Sequence, residues 1–192
     1  VTADPGCGKS VLSRALVDES LLDTVARDTT ICYFFFKDTS EQQRSPVHAM
    51  AALLHQILKS EKGARVIKYA LLAFREDKEK VAQNFEVMWG IIQKIALDPN
   101  CGNIVFLLDA LDECLSSEQK GLIVRLKQLE QSPTRLGIAR NVKFFITSSP
   151  YWNIEKEFND LIREIPGIRL KGENQSETLR LEIDLVIKAR VE

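Results

Sequence analysis

Cysteine is scarce in this 192-residue chain, and its spacing excludes the usual cysteine chemistries. The four, Cys7, Cys32, Cys101 and Cys114, contain no C-x-x-C pair and no metal-ligand spacing. Histidine is scarcer still: His48 and His55 stand on one expected helix and offer too few ligands for zinc. A basic excess is missing as well. With 26 Lys and Arg against 27 Asp and Glu, a net charge of −1, the chain lacks the electrostatic footprint of a nucleic-acid binder. No apolar run is long enough to span a bilayer, and no signal-peptide pattern is visible. No Pro/Gly/Ser-rich linker, internal repeat or low-complexity stretch divides the sequence. Residues 1–192 are therefore read as one α/β unit, long enough for a well-buried core.

What is present is more informative. Ala3-Asp4-Pro5-Gly6-Cys7-Gly8-Lys9-Ser10 reads as a phosphate-binding loop. Gly6 and Gly8 let backbone N–H groups converge on phosphate oxygens, Lys9 reaches the terminal phosphates, and the Ser10 hydroxyl holds Mg²⁺. The run Val11-Leu12-Ser13-Arg14-Ala15-Leu16 then starts a helix, whose positive end faces the same anion. A lysine beside that positive end is unfavourable unless an anion is present, so Lys9 reads as a ligand and not as a surface charge. Asp4, Pro5, Cys7 and Val11 complete the expected nucleotide-contacting set. The strict pattern opens with glycine where this chain has Ala3. A methyl group is tolerated there while φ stays negative.

A second segment, a hundred residues on, explains the first. Asn103-Ile104-Val105-Phe106-Leu107-Leu108-Asp109 is an apolar run ending in a carboxylate, as expected of a parallel strand buried on both faces. Ligands gather at the carboxyl ends of such strands, so Asp109 is the expected Mg²⁺ residue, acting directly or through water. Asp112 and Glu113, one short turn later, are the candidates for polarising an attacking water. Spacing does not rank them. The plainer alternative, an acidic turn after a core strand, leaves the glycine loop unexplained.

Strands and helices alternate along the chain. Helices are expected near Lys9–Asp18, from Pro46 (with Ser45 as N-cap) through a stripe of Val47, Met50, Ala51, Leu54, Ile57 and Leu58, over 63–74 and over 84–97. Further helices are expected over Ser117–Leu129, near Ile154–Ile162 and from Ser176. Ile31–Phe36, Val142–Thr147 and Gly167–Lys171 read as strands. The Tyr33–Phe36 stripe reads as core and Trp152 as packing. The charged run Arg75–Lys80 reads as a solvated connection. Such alternation implies a mostly parallel sheet covered on both faces. Only Val1-Thr2 precede the loop and no helix stop follows Arg190-Val191-Glu192, so the sequence reads as part of a longer protein cut inside its first strand, and weak independent folding is expected of it. Cys7 within the loop fits a reducing compartment, and a cytoplasmic location is expected.

Taken together, four segments resemble the NACHT domain of the STAND class of P-loop NTPases, in particular its fungal members: the loop 3–10, Cys32-Tyr33-Phe34-Phe35-Phe36-Lys37-Asp38, Leu107-Leu108-Asp109-Ala110-Leu111-Asp112-Glu113, and Phe145-Ile146-Thr147-Ser148-Ser149-Pro150-Tyr151. The most specific is the acidic one, with a small residue after the first Asp and an acidic pair two positions on. The resemblance implies a three-layer α/β/α fold whose five-stranded, mostly parallel sheet has the order 5-1-4-3-2, its first strand truncated here and residues 173–192 starting an exit helix. It also implies ATP (with GTP possible) and Mg²⁺ as ligands, and self-association of NTPase domains. Flanking effector and repeat domains, and a role in fungal non-self recognition or regulated cell death, follow from the same resemblance. Thr147 would lie beside the γ-phosphate. Ser149 occupies the position where such domains usually carry a phosphate-sensing arginine, and a hydroxyl does not supply a guanidinium's charge. Three activities fit the sequence: a slow Mg²⁺-dependent NTPase switch, a module that binds nucleotide without useful turnover, and a small-molecule kinase. The kinase is disfavoured by the lack of an arginine-rich lid.

Overall fold

The computed structural model of the chain describes residues 1–18, 29–131, 142–151 and 168–170. The helices expected near 154–162 and from 176 onward, and Trp152, lie outside the described residues.

The acid-tipped run forms the central strand, β3 (Asn103–Asp109), paired in parallel with β2 (Thr29–Phe35) on one side and β4 (Val142–Ile146) on the other. Being flanked on both edges and covered on its faces, β3 needs the near-continuous apolar sequence it has. Ile104, Phe106, Leu107 and Leu108 are buried. Register pairs Phe35 with Asp109 and Ile146 with Leu108, so the carboxyl ends of all three strands share one edge. A second, two-stranded parallel pair joins β1 (Thr2–Ala3) to β5 (Arg169–Leu170). It meets the segment just beyond β4 at a parallel bridge between Thr2 and Ser148, where Ala3 N–H donates to Ser148 O at 3.2 Å and Ser148 N–H to Val1 O at 3.1 Å. The described ladders thus amount to three strands plus two, because a two-residue β1 is too short to extend a ladder along β4. Ala3 is 1 % exposed and keeps a negative φ, so its methyl group sits in the core without strain.

Helices α2 (Pro46–Lys59), α4 (Phe85–Ala96) and α5 (Ser116–Gln131) contribute to one apolar cluster with the sheet. The starts of α2 and α4 have local causes. Ser45 takes the extended N-cap backbone and Pro46 pre-sets the first turn, although the Ser45 hydroxyl makes no capping bond. Asn84 caps α4 by accepting from the N–H groups of Glu86 and Val87. Met50, Leu53 and Ile57 of α2 meet Met88, Ile92 and Ile95 of α4 and Cys32, Phe106 and Leu108 of the sheet. Burying each such side chain contributes roughly 1.5–3 kcal/mol. The stripe of α2 is centred on Ala49, Met50, Leu53, Leu54 and Ile57, a slight rotation from the expected set; Val47, Ala51 and Leu58 are only partly buried. The Gln56 side chain of α2 takes both the N–H and the C=O of Tyr33, covering part of the edge of β2 that pairs with no strand among the described residues.

Helix α3 spans Gly63–Asp77. Its apolar positions are not all core: Val66 is buried, whereas Ile67, Leu71 and Phe74 are 41, 48 and 52 % exposed. The charged run 75–80 is not a plain connection either. It finishes α3 and enters a 3-10 helix, Lys78–Gln83, through the positive φ of Lys78.

Candidate nucleotide site

The glycine loop runs from the end of β1 to the start of α1 (Lys9–Asp18). Gly6 and Gly8 adopt φ of +82° and +75°, and a Cβ at either would meet nothing within 4 Å. The demand for glycine here is therefore conformational, not steric. Leu12 N–H donates to Gly8 O, which closes the first turn of α1. Val11 is 73 % exposed on that turn and Pro5, Gly6, Gly8 and Ser10 are also exposed, while Asp4, Cys7 and Lys9 are half-buried. The Lys9 ammonium folds back over the loop, donating to Ala3 O at 2.7 Å, Asp4 O at 3.2 Å and Ser149 Oγ at 3.3 Å.

Beneath the loop lies Asp109, 1 % exposed at the tip of β3. Three hydroxyls donate to it. Ser10 Oγ reaches Oδ2 at 2.6 Å, while Ser13 Oγ at 2.6 Å and Thr147 Oγ1 at 2.7 Å both reach Oδ1. Thr147 also accepts from Ala110 N–H, so its hydroxyl is fixed at both ends and turned to the carboxylate. It is 0 % exposed, because the backbone just beyond β4 seats it between Asp109 and Ala110.

The chain leaves β3 through Ala110 in the left-handed conformation (φ 53°, ψ 51°) and enters a 3-10 turn, Leu111–Glu113. That turn sends the two acids apart. Asp112 Oδ1 accepts from Ser149 N–H at 3.0 Å, and Glu113 Oε2 accepts from Asp38 N–H at 3.1 Å. Each carboxylate is tied through one oxygen to a neighbouring loop, and among the described residues no contact takes the other oxygen.

Loop, strand tip and segment 147–149 therefore meet at one sheet edge, where contacts join Lys9 to Ser149, Ser10 and Thr147 to Asp109, and Ser149 to Asp112. Ser13 was missed. Its signal was available: on a helix, residue 13 lies on the same face as residue 10, so a hydroxyl at each points toward the same neighbour.

The donors suit a hard cation. Ser10 and Asp109 offer only oxygen, which is what Mg²⁺ takes, and Mg²⁺ needs few protein ligands because phosphates and water supply the rest. Ser10 is the exposed member and Asp109 lies behind it. Among the described residues no cluster of three or more His, Cys, Asp or Glu could hold a metal by itself. Cys32 and Cys114 take no part: burial pushes each thiol up to about 12. Also among the described residues, no helix is long and apolar enough to cross a membrane.

Comparison with known proteins gives one match. The family model described as nephrocystin 3, N-terminal, matches residues 1–149, a span holding every residue named at this site. No curated protein and no solved structure matches the chain.

Proposed function

We propose, since this chain belongs to the nephrocystin 3 N-terminal family, that it is a nucleoside-triphosphate-binding module of NACHT type acting in a signalling switch. ATP with Mg²⁺ is the favoured ligand and GTP the second choice. The observation that carries this reading is the 2.6 Å contact between Ser10 Oγ and Asp109 Oδ2, 99 residues apart. It joins a glycine loop opening a helix to an acid at the end of a parallel strand, the pairing that magnesium triphosphate chemistry needs.

In this reading the N–H groups of residues 6–10 and Lys9 hold the phosphates, and Ser10 backed by Asp109 holds Mg²⁺, whose charge offsets that of the phosphates. Lys9 exchanges its carbonyl partners at Ala3 and Asp4 for phosphate oxygens. Glu113 or Asp112, through the carboxylate oxygen that no described residue contacts, orients the water for a slow hydrolysis. The bridge at Thr2–Ser148 fits a five-stranded order 5-1-4-3-2, with β1 and β5 continuing the sheet beyond β4. Exchange and hydrolysis would control self-association, with effector and repeat domains elsewhere in a longer cytoplasmic protein. A fungal self/non-self or cell-death pathway is the setting to which the NACHT resemblance leads.

One observation favours a second reading, binding without useful turnover. Ser149 meets Lys9 where an arginine would supply transition-state charge, and loss of such an arginine costs about 10³-fold or more in rate in other P-loop enzymes.

Equilibrium binding of ATP and GTP by the full chain, wild type beside Lys9→Ala, tests the site. At least a tenfold loss is expected in the variant, and equal affinity would end the phosphate-loop reading. Phosphate release by wild type, Asp112→Asn and Glu113→Gln then separates the two readings: none above background in any of them leaves the binding-only module.

A further inference from the structure

The engagement of Asp109 is lopsided, and the asymmetry carries a role for a residue outside the loop motif. A carboxylate offers about four lone-pair positions, two on each oxygen. Oδ1 is filled by Ser13 and Thr147, whereas among the described residues Oδ2 receives Ser10 alone. Ser13 is 0 % exposed and on the second turn of α1, so its hydroxyl is shielded from water and cannot reach a ligand at the surface. Thr147 lies on the opposite side, beyond the end of β4, and its orientation is fixed by Ala110 N–H. Helix and sheet thus each fix one hydroxyl on the same oxygen.

We infer that Ser13 is a positioning residue for the cation: with Thr147 it pins Oδ1 of Asp109 and commits Oδ2 to the Ser10 side of the site. The consequence runs through Ser10. Its proton is accepted by Oδ2, so its lone pairs face outward, toward the surface where a hard cation would be held. Without Ser13, Oδ1 loses one of its two donors in a buried setting. The carboxylate then rotates to recover a partner, and Oδ2 no longer holds Ser10 in one orientation. Ser13 therefore acts on metal affinity and not on nucleotide contact. This inference rests on the nucleotide reading given above.

The test measures a fluorescent ATP analogue on the full chain, first in EDTA and then across a Mg²⁺ titration. Mn²⁺ in the protein–nucleotide complex is followed separately by its EPR signal. Ser13→Ala is expected to bind the analogue in EDTA as wild type does, while needing about 10- to 100-fold more Mg²⁺ or Mn²⁺ for half-saturation, the usual cost of removing a hydrogen-bond partner that orients a metal-site group. Ser13→Cys, which keeps a weak donor of similar size, should fall between the two, and it carries the same two-arm comparison should the alanine variant not fold. A wild-type metal requirement in the variants overturns the inference and leaves the nucleotide reading standing. So does an equal loss of analogue affinity with and without metal, which would mean a merely structural hydroxyl. Absence of analogue binding by wild type under every condition removes the nucleotide reading, and this inference with it.

Discussion

Ala110 carries the sharpest backbone demand at the site. An L-residue in the left-handed region costs roughly 1–2 kcal/mol, and a β-branched one more. At 6 % exposure the side chain has little room besides. The turn at Ala110 is what separates Asp112 from Glu113, so the strain has a use. Ala110→Val should lower unfolding free energy by about 2 kcal/mol or more, while Ala110→Gly should stay within about 1 kcal/mol of wild type, since relief of strain and loss of chain entropy nearly offset. Urea midpoints decide this, and a valine variant as stable as wild type would remove strain at residue 110 from the account.

Among elements, α3 is held as much by polar contacts as by packing. Asp98, 4 % exposed at the start of the 3-10 turn Pro99–Cys101, accepts from Lys68 Nζ at 2.9 Å and Tyr69 Oη at 3.0 Å on α3. Its other oxygen accepts from both Asn100 N and Asn100 Nδ2. The Lys68 ammonium, followed by the Asn100 N–H, holds the Asp98 carboxyl well below the usual carboxylate range, against an opposing push from burial. A depressed folded pKa means that this stability is fully present above the unfolded value of about 3.9 and fades as pH falls below it. Asp98→Asn should therefore be less stable than wild type at pH 7 by about 1–3 kcal/mol, and the gap should narrow between about pH 4 and pH 2. Denaturant curves at pH 7, 4 and 2.5 provide the check; a gap that widens toward acid contradicts the assignment.

At the scale of the molecule, the site is a joint between segments distant in sequence. Residues 3–13, 109–113 and 147–149 meet there, so a ligand that bridges them favours the folded state as a whole. Magnesium ATP at a hundredfold excess over its dissociation constant should add about 2.7 kcal/mol. For a chain of this length that raises the melting temperature by about 5–10 °C. Thermal melts with and without nucleotide would measure this shift, which should vanish in Lys9→Ala; a wild-type melt unmoved by ligand at saturation would refute the coupling.

Much of this was legible from the chain alone, and the reason is locality. Glycines needing positive φ, a lysine at a helix start and an apolar run closing on Asp109 are signals carried by a residue and its neighbours. They placed α1 and the strand that ends on Asp109. The exposed stripe of α3 was not legible, because helical spacing reports that a side is apolar and not whether anything covers it. Nor was the winding of Lys78–Gln83, since a run of charges carries no periodic signal.

Sequence, then, determined which groups are the candidates for the proposed chemistry: Lys9, Ser10, Asp109, and the acids at 112 and 113. Tertiary structure decided how they are held. That Thr147 and Ser13 grip one oxygen of Asp109, that Ser149 touches Lys9, and that the two acids diverge are facts about pairs separated by 37 to 140 positions. Such contacts depend on strand register and helix packing over the whole sheet, which no short stretch of residues encodes.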